Sequence, residues 1–258
     1  MDPTIRFTEL VQGPEDALAL DEAALLIAAH AHPGLDLDLQ LAKVDALAGG
    51  VDDRTLEAWR RRLFVELGFS GNVHRYYDPA NSFLDDVMRR RKGLPITLSV
   101  LGMEVGRRVG LRLEGVGMPG HFLLRHGPDA YVDPFDGGRL MDRDQCVERF
   151  RALHGPNARF RSQYLNPVGP LAILSRILNN LKSVYVGRSD VAALSWVFDL
   201  RMALPGASPL ERREWARVLG ASGRFLEAAT QMEELIDLVP AQEDALRTEA
   251  AGFRARLN

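Results

Sequence analysis

The stretch from residue 81 to residue 140 constrains this chain more than any other. It reads NSFLDDVMRRRKGLPITLSVLGMEVGRRVGL, then EGVGMPGHFLLR, then YVDPFDGGRL. Pro95 suits the first turn of a helix, where its fixed φ is helical and its missing N–H has no intrahelical partner to lose. From Ile96 to Val105 that helix is apolar on nearly every side, which predicts burial. Ser99, Gly102 and Gly106 share one face, so another backbone can approach there, most simply that of the strands that follow. From Arg112 the period changes. RLEGVGM, HFLLR and AYVDPF are short, separated by Gly and Pro, and predict an antiparallel sheet.

Two polar residues stand out in those runs. His121 opens one and Asp133 closes the next. Folding the chain about a turn centred near Gly127 and Pro128 sets the two side by side. A histidine held by a carboxylate is half of a constellation that activates a nucleophile. It is also a way to tie a hairpin without catalysis, since buried polar groups need partners.

The flanking sequence reads as helical support. PEDALALDEAALLIAAHAH, LDLQLAKVDALA and TLEAWRRRLFVELGF predict three helices, the last with Asp53 as N-cap. His30 and His32 lie two apart, on different helix faces, and read as solvent-facing, not as metal ligands. SGNVHRYYDPANS is a loop by its Gly, Asn, Asp and Pro content, and Asn81 or Ser82 is placed to cap the helix FLDDVMRRR. Loops that lead into buried helices are common walls of sites. Tyr76, Tyr77, Asp78 and Asn81 are therefore cleft-lining candidates beside Pro95. GGRLMD is expected to turn directly into the helix RDQCVERFRALH, on which Cys146 reads as a small packed hydrophobe.

Residues 155–165 read as a linker, and the pattern beyond it is helical and recurrent. Ala193 and Ala228 are 35 apart, as are Pro205 and Pro240. A small residue early in a second helix, with a proline closing it, is the tetratricopeptide pattern. The expected organisation is an α+β domain over 1–154, with a helical subdomain at 1–70 and a core at 71–154, followed by all-helical repeats over 166–258.

Charge and composition narrow the partners. A net charge of −3, spread along the chain, gives no field that argues for nucleic acid or a membrane surface. A single cysteine excludes an internal disulfide framework and fits a reducing compartment. MDPTIRFTEL lacks a charged segment followed by an apolar one, and no apolar run approaches the ~20 residues of a membrane helix. The expectation is a soluble, cytoplasmic protein. Nothing in the sequence calls for a cofactor. A metal held by His121, Asp133 and another His lacks a third ligand, since His126 falls in the turn.

The runs NSFLDDVMRRRKGLPITLSVL, RRVGL, GMPGHFLLR and VDPFDGGRL resemble the transglutaminase-like superfamily, and more closely its SirB-type branch, in which such a core precedes tetratricopeptide-like helices. The resemblance implies a papain/transglutaminase-like core and, in active members, a Cys-His-Asp triad whose Cys opens the buried helix. His121 and Asp133 match the second and third members. The Cys position falls on Pro95, within GLP, where an active member would read Gly-x-Cys. Proline has no nucleophile.

Two hydroxyls follow it. Ser99 is roughly 6 Å further along the helix, and Thr97 about 3 Å along but turned roughly 200° around the axis. Two readings of function result. One is a non-catalytic protein-interaction or regulatory module that takes a protein or peptide partner on its C-terminal repeats. The other is a peptide or amide hydrolase or acyl-transfer enzyme. There His121 would be the base, Asp133 its orienter, and Ser99 or Thr97 the nucleophile. On the first reading Cys146 is expected far from the His-Asp pair.

Overall fold

A computed structural model describes residues 2–257. Two units are distinguished by their internal contacts. One is Gly13–Ile177; the other joins Asp2–Gln12 to the residues from Leu178 onward. Helix α1 (Pro3–Gln12) therefore belongs with the C-terminal helices, burying Phe7 and Val11.

The first unit begins with helices α2 (Leu20–Ala31) and α3 (Leu37–Gly49). Asp21 and Glu22 lead α2, as the helix dipole favours, and the run from Ala23 to Ala28 is buried. Asp36 caps α3 by accepting from the Leu39 N–H at 3.0 Å. Helix α4 (Leu56–Arg60) is capped by the Thr55 hydroxyl, not by Asp53, and its path continues through residue 66 in a wider turn. Strand β1 (Ser70–Gly71) follows. Helix α5 (Leu84–Arg90) starts after a tight turn at Pro79–Asn81 with Phe83 as its N-cap, so neither Asn81 nor Ser82 caps it. Strand β2 (Lys92–Gly93) pairs in parallel with β1 and leads into the buried helix α6 (Pro95–Arg108).

Strands β3 (Glu114–Val116), β4 (Leu123–His126), β5 (Ala130–Asp133) and β6 (Arg139–Met141) form an antiparallel sheet in that order. The β4–β5 turn holds three residues, Gly127 to Asp129, and the register pairs Leu124 with Val132. Asp133 thus stands across from position 123, and His121 lies on the diagonal, not directly opposite as the turn-centred count places it. Strand β6 also departs from expectation. Gly137 and Gly138 take φ of 60° and 74°, which turns the chain back to pair before the helix begins. With only Met141 buried, three residues were too few to show alternation.

The small face of α6 is tight, as its spacing implies. The Trp59 indole donates to the Gly102 carbonyl at 3.1 Å. A Cβ on Gly102 would stand 2.9 Å from the Trp59 ring and 3.0 Å from Leu124. Those neighbours are side chains; close backbone is not what the glycine admits. Helix α7 (Arg143–His154) opens with a capping box of Asp142 and Gln145 and buries Cys146 and Phe150 against Val116, Leu123, Tyr131 and Met141. Helix α8 (Pro170–Arg188) carries the chain onward.

In the second unit, α9 (Val191–Ala203), α10 (Pro209–Ala221), α11 (Phe225–Leu238) and α12 (Glu243–Arg254) are joined by short turns. Ala216, Ala229, Met232, Leu235, Leu246 and Ala250 form a shared core, in which alanines let helices approach closely. Pro205 follows α9 and Pro240 follows α11. The protein is α+β, with a small antiparallel sheet amid helices and a helical C-terminal region. Among the described residues no helix is long and apolar enough to cross a membrane.

Candidate functional site

The end of β5 and the approach to β4 make the site. Asp133 is fully buried and closes its strand by turning its side chain onto its own chain, where Oδ1 accepts from the N–H groups of Phe135 at 3.0 Å and Asp136 at 3.2 Å. Its Oδ2 lies 2.9 Å from Nε2 of His121. Gly120, at φ 74°, sets up the turn in which the His121 N–H donates to Met118 O at 3.0 Å. The Arg176 guanidinium, from α8, then holds this turn by donating to Met118 O at 3.1 Å and His121 O at 2.8 Å. An anion at Nε2 selects the tautomer protonated there. Nδ1 is left with a lone pair and no hydrogen bond to the protein.

What stands at the head of α6 decides the chemistry. The Gly71 N–H donates to Phe135 O at 2.9 Å, and Gly71 pairs with Gly93, two residues before Pro95. The Phe135 ring meets the His121 ring edge-on at 6.1 Å between centroids. The α6 N-terminus is thereby fastened to the loop bearing the His-Asp pair, with buried Pro95 as its first residue. Neither hydroxyl answers His121. Thr97 donates to Asn81 O at 2.5 Å and accepts from the Leu94 N–H at 3.1 Å. Ser99 donates to Pro95 O at 2.8 Å. Each hydroxyl has one proton, and both are given to main-chain carbonyls.

Residues 26–179 match the family described as the transglutaminase-like superfamily. This chain belongs to the transglutaminase-like superfamily. It is 44% identical over 196 residues to a UPF0162 protein of Xylella fastidiosa, covering 69% of this chain and 70% of that one. A UPF0162 protein of Pseudomonas aeruginosa is 35% identical over 184 residues, covering 68% of each. F-box only protein 21 of Mus musculus is 31% identical over 145 residues, which cover 52% of this chain and 22% of that protein. No solved structure matches.

The cleft-lining candidates Tyr76, Tyr77, Asp78 and Asn81 lie in the segment between β1 and α5. Asn81 is fully buried beneath the 72–81 loop. Its amide donates to Arg75 O at 2.6 Å and Tyr76 O at 3.1 Å, and its side-chain oxygen accepts from Asn72 at 2.9 Å. Asp78 caps the turn at Ala80 (3.1 Å) and meets Arg90 at 3.3 Å. Tyr77 is exposed, while Tyr76 is partly covered (39% exposed) and stands edge-on to Phe135 at 5.9 Å. Burial raises the Tyr76 hydroxyl pKa, with Tyr77 adding and Arg176 opposing; burial in turn lowers Arg176.

Two arginines went unmarked in the sequence. Arg149 of α7 approaches Asp133 Oδ2 at 3.0 Å and Asp136 at 2.7 Å, so the carboxylate is shared between imidazole and guanidinium. Arg149 and Arg176 sit in ordinary helical patterns, and only the fold brings them here. Cys146 is the other correction. It lies one turn before Arg149 on α7, near enough that the Asp133 charge helps to raise its thiol. Burial is the largest cause, Asp142 the next, and the pKa is pushed up to about 12. A thiol held neutral in an apolar cluster is not a nucleophile.

His32 does not face solvent alone. Its ring meets two carboxylates of α5, Asp85 at 2.8 Å and Asp86 at 3.4 Å.

Proposed function

We propose that this protein is a non-catalytic member of its superfamily, of the SirB type, acting in the cytoplasm as a protein-interaction or regulatory module. Pro95 at the head of α6 carries the reading, because a backbone-locked ring supplies neither thiol nor hydroxyl where the superfamily's chemistry would begin. The committed protons of Thr97 and Ser99 support it. His121 and Asp133 then act as a clasp between the turn before β4 and the end of β5. Tyr76, Tyr77, Asp78 and Asn81, with Pro95, form the wall and footing of a cleft without an attacking group.

The partner, a protein or peptide, is taken on the C-terminal helices read as tetratricopeptide-like pairs. Ala193 and Ala228 recur in α9 and α11, and prolines follow both helices at the same interval. Paired helices of this kind present an extended surface to a peptide or helix. In F-box only protein 21 the similar stretch is a minor part of a longer chain, which suits a domain used as a module.

A second reading rests on one observation, the unengaged Nδ1 of His121. It would make the protein an amide or peptide hydrolase or acyl-transfer enzyme, with Ser99 or Thr97 rotated out of its present bond. Amidase and transglutaminase assays on unmodified protein separate the two. The expected result is no turnover that His121→Ala abolishes. Turnover lost in both His121→Ala and Ser99→Ala would overturn the non-catalytic reading.

A further inference from the structure

The cluster of His32, Asp85 and Asp86 has no part in the site above. His32 is the residue that ends α2, and the two aspartates lie in the first turn of α5. Their donor atoms all fall within 4.8 Å of one another. The ring nitrogens approach the two carboxylates at 2.8 and 3.4 Å, yet Nδ1, although buried, makes no hydrogen bond. The carboxylate oxygen lies close to that nitrogen but off the line of a proton or lone pair in the ring plane.

The Asp85 carboxylate is the second anomaly. Its side chain is 13% exposed, and Oδ1 is buried without any hydrogen bond. Buried carboxylates are otherwise hydrogen-bonded or paired. Asp86 differs, because Arg89 occupies its Oδ1 and leaves Oδ2 directed at the cluster. The Phe83 ring stands edge-on to His32 at 5.2 Å and fixes the imidazole plane. Of the three residues, Asp85 also lines a pocket of about 430 Å³ with Lys43, Met88 and Arg89.

We propose that His32, Asp85 and Asp86 bind a divalent transition-metal ion of the Zn²⁺ class. One imidazole nitrogen and two carboxylate oxygens suit such an ion better than Mg²⁺, which prefers oxygen ligands alone. At a metal–ligand length of about 2.0–2.1 Å, tetrahedral donors stand about 3.3 Å apart, and one donor atom from each of the three residues, all within 4.8 Å of one another, can close to that spacing around one ion. The ion supplies a ligand bond where Nδ1 and the Asp85 carboxylate, in contact with each other, make no hydrogen bond at Nδ1 or Oδ1, and water completes the coordination. Arg89 is the outer group that orients Asp86. Bound there, the ion ties the end of α2 to the start of α5, the helix that leads through β2 into Pro95.

The test uses the full chain, stripped with chelator and titrated with ZnCl₂ or MgCl₂ by calorimetry and thermal melting. One Zn²⁺ per chain should bind, raising Tm by several degrees at saturating metal, and Mg²⁺ should not replace it. His32→Ala and Asp85→Asn should each weaken Zn²⁺ binding at least about tenfold. His121→Ala should leave it unchanged. Asp85→Asn keeps the volume and decides the matter if His32→Ala fails to fold. Absence of stoichiometric uptake, or uptake that Asp85→Asn leaves intact, overturns the site and leaves a histidine clasped by two carboxylates.

Discussion

His121 reaches Asp133 across the diagonal of the β4–β5 hairpin, Nε2 standing 2.9 Å from the oxygen that Arg149 also approaches at 3.0 Å. Asp133 further accepts two main-chain N–H bonds, so it collects four partners while His121 contributes one. Removing the two residues should therefore cost unequally. His121→Ala leaves the carboxylate with Arg149 and both N–H groups, and a loss of about 1 kcal/mol is expected. Asp133→Ala strands two N–H donors, a guanidinium and an imidazole, and should cost about 3 kcal/mol or more. Denaturant unfolding of both variants checks the order, and equal losses would contradict the shared-carboxylate account.

Much of this was legible in residue order. The buried helix from Pro95, the sheet after Arg112 and the helical C-terminus follow from periodicity and from Gly and Pro punctuation. The pairing of His121 with Asp133 could also be foreseen, although its register could not. A turn of three residues instead of a shorter one shifts every partner, and GPD does not announce its length. Strand β6 was too short to alternate visibly. The company kept by α1 was illegible too, since an amphipathic helix states that it has a buried face and not what covers it. Arg149, Arg176 and the inward turn of His32 depend on tertiary approach between elements far apart in sequence.

Gly102 makes a local test of how α6 lies on its neighbours. A Cβ there would already crowd Trp59 and Leu124. Gly102→Leu should cost a few kcal/mol, at or above the usual range for inserted bulk. It should also shift the emission of Trp59, whose indole donates to the Gly102 carbonyl. A variant that melts with the parent would mean that this face is not closed.

Cys146 sets a pH dependence whose sign can be worked out. Burial raises the thiol from the 9.0 of a free side chain to about 12. Between those values the unfolded chain releases a proton that the folded chain keeps, so stability falls as pH rises through the interval. Tyr185, pushed up to about 12 by burial and Asp190, acts in the same direction. Cys146→Ala should flatten part of the alkaline decline in stability. In the native parent at pH 8, alkylation of the thiol by iodoacetamide should proceed only as fast as the protein opens.

Pro95→Cys asks whether the frame of the missing chemistry survives. The substitution restores an N–H at a buried position where helices leave that group without an intrahelical partner, so the fold should lose about 1–3 kcal/mol. It also sets a thiol at a helix N-terminus, where the dipole and an imidazole both favour thiolate. Nδ1 of His121, free of protein hydrogen bonds, is the group that would receive the proton. The variant should be alkylated by iodoacetamide at pH 7 well before the parent, whose single thiol is buried Cys146. Adding His121→Ala to Pro95→Cys should slow that reaction about tenfold, within the usual reach of a positioned base. A fast reaction indifferent to His121 would place the imidazole out of reach of α6 and leave the clasp as its whole role. No acceleration at all would mean that the head of α6 is sealed, and the cleft could not be made catalytic by one thiol.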